Sequence, residues 1–168
     1  MIAFGHTATG AMVGLAVYKY LGNTDPLTGL LVAGTIGVIS HYIFDSIPHG
    51  HFFLFKKSDN YRKKVFPILI FDVFGSVLLF TLAAYYTFGF NIGLFYILFG
   101  IGGAQLPDVI DGLIFSGFLK RSGIIKLEND FHIWTHWHGK FEKALLLSKW
   151  DLWQVASVLI ALWLITQF

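Results

Sequence analysis

The chain is 168 residues long, 55% hydrophobic and 13% charged, with a formal net charge of +2 and no cysteine. A soluble domain carries about 25% charged residues, so the composition excludes an ordinary soluble fold and reads as an integral membrane protein. The small net charge, with its basic residues in two clusters, excludes a nucleic-acid partner, and the lack of cysteine excludes disulfides and thiolate metal sites.

A bilayer core about 30 Å thick takes roughly 20 apolar residues per helix. Five segments qualify in chain order: 3–21, 26–47, 65–88, 91–115 and 151–167. The expected fold class is an all-α integral membrane protein, a compact bundle of about five transmembrane helices forming a single polytopic domain over 1–168. The first segment lacks a basic flank and is interrupted by His6, so it reads as a retained helix rather than a cleavable signal. Asp25 ahead of Pro26 reads as a helix cap. Gly10, Gly14, Gly34, Gly37, Gly75, Gly100 and Gly103 fall inside spans, where small residues let helices approach closely. The last segment is the shortest and, at about 1.5 Å per residue, just crosses.

Lys56, Lys57, Arg62, Lys63 and Lys64 lie between spans two and three, and Lys120, Arg121, Lys126, Lys140, Lys143 and Lys149 between spans four and five. The connections at 22–25 and 88–91 hold no lysine or arginine. The positive-inside rule places the N-terminus and both long loops in the cytoplasm and the C-terminus outside, in a multi-pass membrane protein.

A shift of 66 positions superposes Gly34 on Gly100, Gly37 on Gly103, Asp45 on Asp111, Tyr20 on Tyr86 and His6 on Asp72. Residues 1–50 and 67–116 then read as two parallel helix-pair repeats.

On this topology the ionisable residues gather at the cytoplasmic face. His6 and Asp72 lie just inside the entries of spans one and three. His41 and Asp45 end span two, Asp108 and Asp111 end span four, and the following loop carries FHIWTHWHGK with His132 and His136. A charge within a membrane costs roughly 2.5–3.5 kcal/mol on insertion scales and usually faces the bundle interior. A divalent metal offsets that cost by neutralising carboxylates and taking up neutral imidazoles. His41/Asp45 and His132/His136 are spaced i, i+4, and Asp108/Asp111 i, i+3, so each pair shares one helical face. With only nitrogen and oxygen ligands zinc is favoured, and manganese, iron and magnesium are the alternatives. His49, His51 and His138 are weaker candidates that read as interfacial loop residues, and Trp134, Trp137, Trp150 and Trp153 read as an interfacial belt.

The start FGHTATGAMVG, then LPDVID, then HIWTHWH, resembles the bacterial membrane-bound metal-dependent hydrolase-like family, whose members show an N-terminal GH, an LPD-x-D type motif and an H-x-x-T-H type stretch. Here PDVID has one extra residue between its aspartates, and HIWTHWH keeps Thr135 but lacks the family's arginine and serine. The resemblance implies metal-dependent hydrolysis through His6, Asp108, Asp111, His132 and His136. Separately, HYIFDSIPHGH resembles over about ten residues the zinc phospholipase C signature. DVIDG also begins like a CDP-alcohol phosphotransferase motif, but the following Ala-Arg and the second aspartate pair are absent.

The expected function is a membrane-embedded metal-dependent hydrolase acting on a lipid-type phosphoester or ester at the cytoplasmic leaflet. A carboxylate not used as a ligand, Asp45 or Asp72, would be the catalytic base, and a membrane lipid the partner. The rival reading is a small metal-ion or proton-coupled transporter, or a metal-binding membrane scaffold. Transporter sites lie near the bilayer midplane, whereas these residues gather at one face.

Overall fold

The computed structural model describes residues 3–47, 59–135 and 152–168, with the backbone alone at 59–66, 68 and 69. Among the described residues there are six helices and no strand: α1 (Ala3–Leu21), α2 (Pro26–Asp45), α3 (Asp59–Phe88), α4 (Ile92–Phe115), α5 (Gly123–Thr135) and α6 (Leu152–Ile165).

The expected spans return as helices, with three differences. First, α3 begins at Asp59, six residues before the expected span, because Arg62, Lys63 and Lys64 are good helix formers and do not stop a helix where its apolar part begins. Second, the segment expected to be a loop after span four contains α5. Third, the described part of α6 has 14 residues, about 21 Å long and shorter than a bilayer core. Three helices are long and apolar enough to cross a membrane: α2, the Ile70–Phe88 part of α3, and α4.

Local chemistry sets the helix starts. Asp25 accepts hydrogen bonds from the Thr28 amide and hydroxyl, both at 2.8 Å, with Pro26 in the first turn. Asn91 accepts from the Gly93 amide at 2.8 Å and starts α4. The connections before these caps are too short to do anything but reverse the chain, so α1 and α2 run antiparallel, as do α3 and α4.

Helix α1 is the hub, packed against α2, α3, α4 and α6. That position explains why it carries His6, Thr7 and Thr9, all buried: a helix enclosed by other helices need not present an apolar surface to lipid. The outward faces of α2, α3 and α4 are apolar, exposing Leu31, Ile43, Phe71, Phe74, Phe95 and Phe99.

Glycine sets the distance between α1, α2 and α4. A Cβ added at Gly10 would sit 2.6 Å from Gly100 O and 2.8 Å from Ile101 Cα, and one at Gly37 would lie 3.0 Å from Ala104 N. Gly34 in turn lies against Gly103. Of the counterparts under the 66-residue shift, Gly37 and Gly103 are also in contact at the α2–α4 crossing. Below this layer Ala8, Ala11, Leu15, Phe80, Ala84 and Ile97 form an apolar core.

Candidate metal centre

The tight crossings align one end of the bundle. Helix α1 brings in His6 on its first turn, and α2 arrives in the opposite sense with His41 and Asp45 on its last. Helix α4 runs parallel to α2 and carries Asp108 past Pro107. Helix α5 packs across this end through its inner face, Asn129, His132 and Thr135, all buried. Tyr42 clamps it to α2 by donating to Glu128 Oε1 at 2.9 Å and by edge contact with Phe131.

Four helices thus converge on one point. Asp45, 1% exposed, lies at the centre, with Oδ2 2.9 Å from His41 Nε2 and 3.0 Å from His132 Nε2. Its Oδ1 is 3.0 Å from His6 Nε2, close enough for an ion pair but outside hydrogen-bond geometry. Asp108 closes the other side, its Oδ1 3.9 Å from His41 Nε2 and 3.8 Å from His132 Nε2. The two imidazole Nε2 atoms of His41 and His132 are 2.9 Å apart.

These distances suit a metal ion. Five of the six separations among His41 Nε2, His132 Nε2, Asp45 Oδ2 and Asp108 Oδ1 lie at 2.9–3.9 Å. Ligand atoms bonded at about 2.0–2.1 Å in a tetrahedron lie about 3.3 Å apart. Among the described residues, His6, His41 and Asp45 bring their ligand atoms together on one side, and His41, Asp108 and His132 on the other.

The groups behind the ligands orient them. His41 Nδ1 lies 2.7 Å from Ala104 O; a carbonyl only accepts, so Nδ1 carries the proton and Nε2 of the neutral ring presents a lone pair to the centre. His132 Nδ1 faces Asp111 Oδ2 at 3.0 Å, and Asp111 Oδ1 accepts from Asn129 Nδ2 at 2.6 Å. A carboxylate or carbonyl behind a metal-binding histidine, fixing its tautomer, is the usual outer arrangement of such centres.

Electrostatics also call for a cation. Asp45, Asp108 and Asp111 bring three carboxylates together, and neither Asp108 nor Asp111 has a lysine or arginine partner among the described residues. Burial disfavours a charged His132, but its hydrogen bonds to Asp111 and Asp45 outweigh this and lift its pKa to about 10. One proton there offsets one of three negative charges; a divalent ion offsets two. Glu128 is pushed up by burial, against the Tyr42 hydrogen bond that lowers it.

The other candidates lie elsewhere. Asp111 stands one step behind His132 rather than among the converging atoms. Asp72 accepts a hydrogen bond from the Ala3 amide at 2.7 Å and so caps α1. Beside it Thr7 bonds Ser76 at 2.8 Å, and Gln105 donates to Ala3 O and the Thr7 hydroxyl. His136 lies outside the described residues, as do Pro48, His49, His51 and His138. Sequence reasoning missed Asn129 and the Ala104 carbonyl. The i, i+3 spacing of Asn129 and His132 would have pointed to the first once α5 was recognised as a helix; nothing in the sequence marks a backbone carbonyl.

Among the described residues, the fold and site define an all-helical protein, three of whose helices are long and apolar enough to cross a membrane, with a buried histidine–aspartate group able to hold a metal at one end. No protein-family model, curated protein or solved structure matches the chain, so the functional reading rests on this geometry.

Proposed function

We propose that the protein is a membrane-embedded, metal-dependent hydrolase of the bacterial inner membrane, acting on a lipid-type phosphoester or ester at the cytoplasmic leaflet. In this reading five helices span the bilayer, the N-terminus is cytoplasmic and the C-terminus outside. The observation that carries it is the convergence of three histidines on Asp45 and Asp108 from four different helices. His41, His132, Asp45 and Asp108 would hold the ion, zinc first among candidates, with His6 adjoining. A bound divalent metal supplies a Lewis acid for a phosphoryl or acyl oxygen and acidifies water.

The residues of the chain do the rest. Asp45 is enclosed by three imidazoles and anchors the centre. The Asp108 side chain is 29% exposed, so it marks the side from which water and substrate enter. Asp111 and Asn129 keep the His132 ring aimed. Asp72 holds the start of α1, and with it His6, in place.

Helix α5 supports a lipid substrate. Its outer face carries Ile124, Leu127, Phe131 and Trp134, spaced 3, 4 and 3 residues apart and all exposed. Lys120, Arg121 and Lys126 flank this stripe. An amphipathic helix of this kind lies in the plane of a membrane interface, drawn by apolar burial and anionic headgroups. His132 sits on its opposite face, so the helix that meets the lipid surface also completes the site. The transporter reading has less support: the polar layer of Asp72, Thr7, Ser76 and Gln105 gives way to the apolar core around Leu15, Ile97 and Phe80.

Elemental analysis of detergent-purified protein, followed by assay of phospholipids and isoprenoid phosphates for metal-dependent release of phosphate or headgroup, tests the proposal. Metal-replete protein that contains no divalent metal sinks it.

A further inference from the structure

We infer that the centre holds two metal ions, bridged by the carboxylates of Asp45 and Asp108, with His6 the terminal ligand of the second. The inference rests on the metal-centre reading above and specifies its nuclearity.

The geometry divides the donors into two groups. Asp45 turns Oδ2 to His41 and His132 at 2.9 and 3.0 Å but Oδ1 to His6 at 3.0 Å. Asp108 does the same with its own two oxygens, Oδ1 towards His41 and His132 and Oδ2 towards His6 at 3.9 Å. Each carboxylate therefore offers one oxygen to the His41/His132 side and the other to the His6 side. A single ion would use one oxygen of each and leave the others facing His6 with no cation between them.

The histidine rings divide the same way. His6 and His41 are stacked, centroids 3.8 Å apart and planes 20° apart. Stacked imidazoles direct their lone pairs side by side, and here they reach different oxygens of Asp45. His41 and His132 meet at 66° with their Nε2 atoms 2.9 Å apart. His6 is fully buried, yet neither of its ring nitrogens has a hydrogen bond among the described residues. Its Nε2 instead faces Asp45 Oδ1 at 3.0 Å, and an ion between the two would take a lone pair from each.

The two positions differ in support. His41 is backed by Ala104 O and His132 by Asp111, whereas His6 Nδ1 has no such backing among the described residues. Loss of an outer partner weakens metal affinity about 10–100-fold, so the His6 position is the weaker.

The test is a zinc titration of the full-length, metal-stripped protein in detergent, with elemental analysis at saturation and electron paramagnetic resonance of the cobalt(II)-loaded form. The expected result is two zinc ions per chain, bound in two phases at least tenfold apart, and a magnetically coupled cobalt pair. His6→Gln should lose the weaker phase and the coupling while keeping one ion. Saturation at one ion per chain overturns the second ion and leaves the metal centre standing; no bound ion removes both. Two ions without magnetic coupling overturn the shared carboxylates, and a His6→Gln protein that still binds a coupled pair overturns His6 as ligand. The unmutated protein decides nuclearity even where the variant fails to fold.

Discussion

His132 Nε2 lies 2.9 Å from His41 Nε2 although 91 residues separate them, and both lie within 3.0 Å of the same Asp45 oxygen. Without a cation between them, the proton on His132 is what holds these groups at such distances, and a metal ion would take its place. The pair defines the tight half of the proposed centre, and the first prediction concerns it.

His41→Ala and His132→Ala should each abolish tight zinc binding, measured by elemental analysis after gel filtration. Asp111→Asn should weaken it only about 10–100-fold, because Asp111 orients His132 without contacting the ion. Equal, complete loss in all three would make Asp111 a ligand.

Asp72 separates two roles by a choice of variant. Asn keeps an oxygen to accept the Ala3 amide; Leu does not. If Asp72 caps α1, Asp72→Asn stays near wild type in activity, and Asp72→Leu loses about 1–3 kcal/mol of stability, read in thermal melts. A loss of activity beyond about 100-fold in Asp72→Asn with unchanged melting would instead restore it as the general base.

Helix packing and the site should fail together. Gly100 meets Gly10 and Gly14 of α1 and Gly37 of α2. Gly100→Leu should therefore destabilise the bundle by at least about 1–3 kcal/mol and also weaken zinc binding, since it pushes His41 away from Ala104 O. Gly75→Leu, where an added Cβ meets nothing within 4 Å, should leave both nearly unchanged.

The outer stripe of α5 should matter for lipid and not for chemistry. Leu127→Asp with Trp134→Glu is expected to lower turnover of vesicle-borne substrate at least tenfold while sparing a water-soluble short-chain analogue and bound zinc. Equal loss on both substrates would assign the stripe to folding instead.

The chain has no cysteine, so single cysteines report topology directly. At Asn23 and Phe90 they should label from outside the cell, and at Ser122 only after permeabilisation. Labelling of all three from one side would overturn the five-span arrangement.

Much of this was legible in the linear chain. Apolar runs locate the membrane-compatible helices because length and hydropathy alone decide whether a segment can cross, and Asp25 announces its cap because a cap depends on the next three residues. The His41/Asp45 pair is visible because i, i+4 spacing puts two side chains on one helical face whatever surrounds them. Helix α5 was less visible: GIIKLENDFHIWT mixes charge and apolar residues over 13 positions, and its two faces make sense only once one is seen to cover the site and the other to point outward.

Sequence by itself determined the helical class, the presence of polar residues at helix ends, and the residue types from which a nitrogen–oxygen metal site must be built. Tertiary structure alone decided which of them converge. Asp72 and Asp108 are both carboxylates within apolar segments, yet one caps the Ala3 amide and the other faces three imidazoles. Asp111, paired with Asp108 by spacing, turns to His132 Nδ1 instead. The reason is physical: side-chain direction is set locally, but what lies in that direction depends on how closely the helices approach. That distance is set by glycines on α1, α2 and α4 meeting backbone to backbone, a contact between residues far apart in the chain.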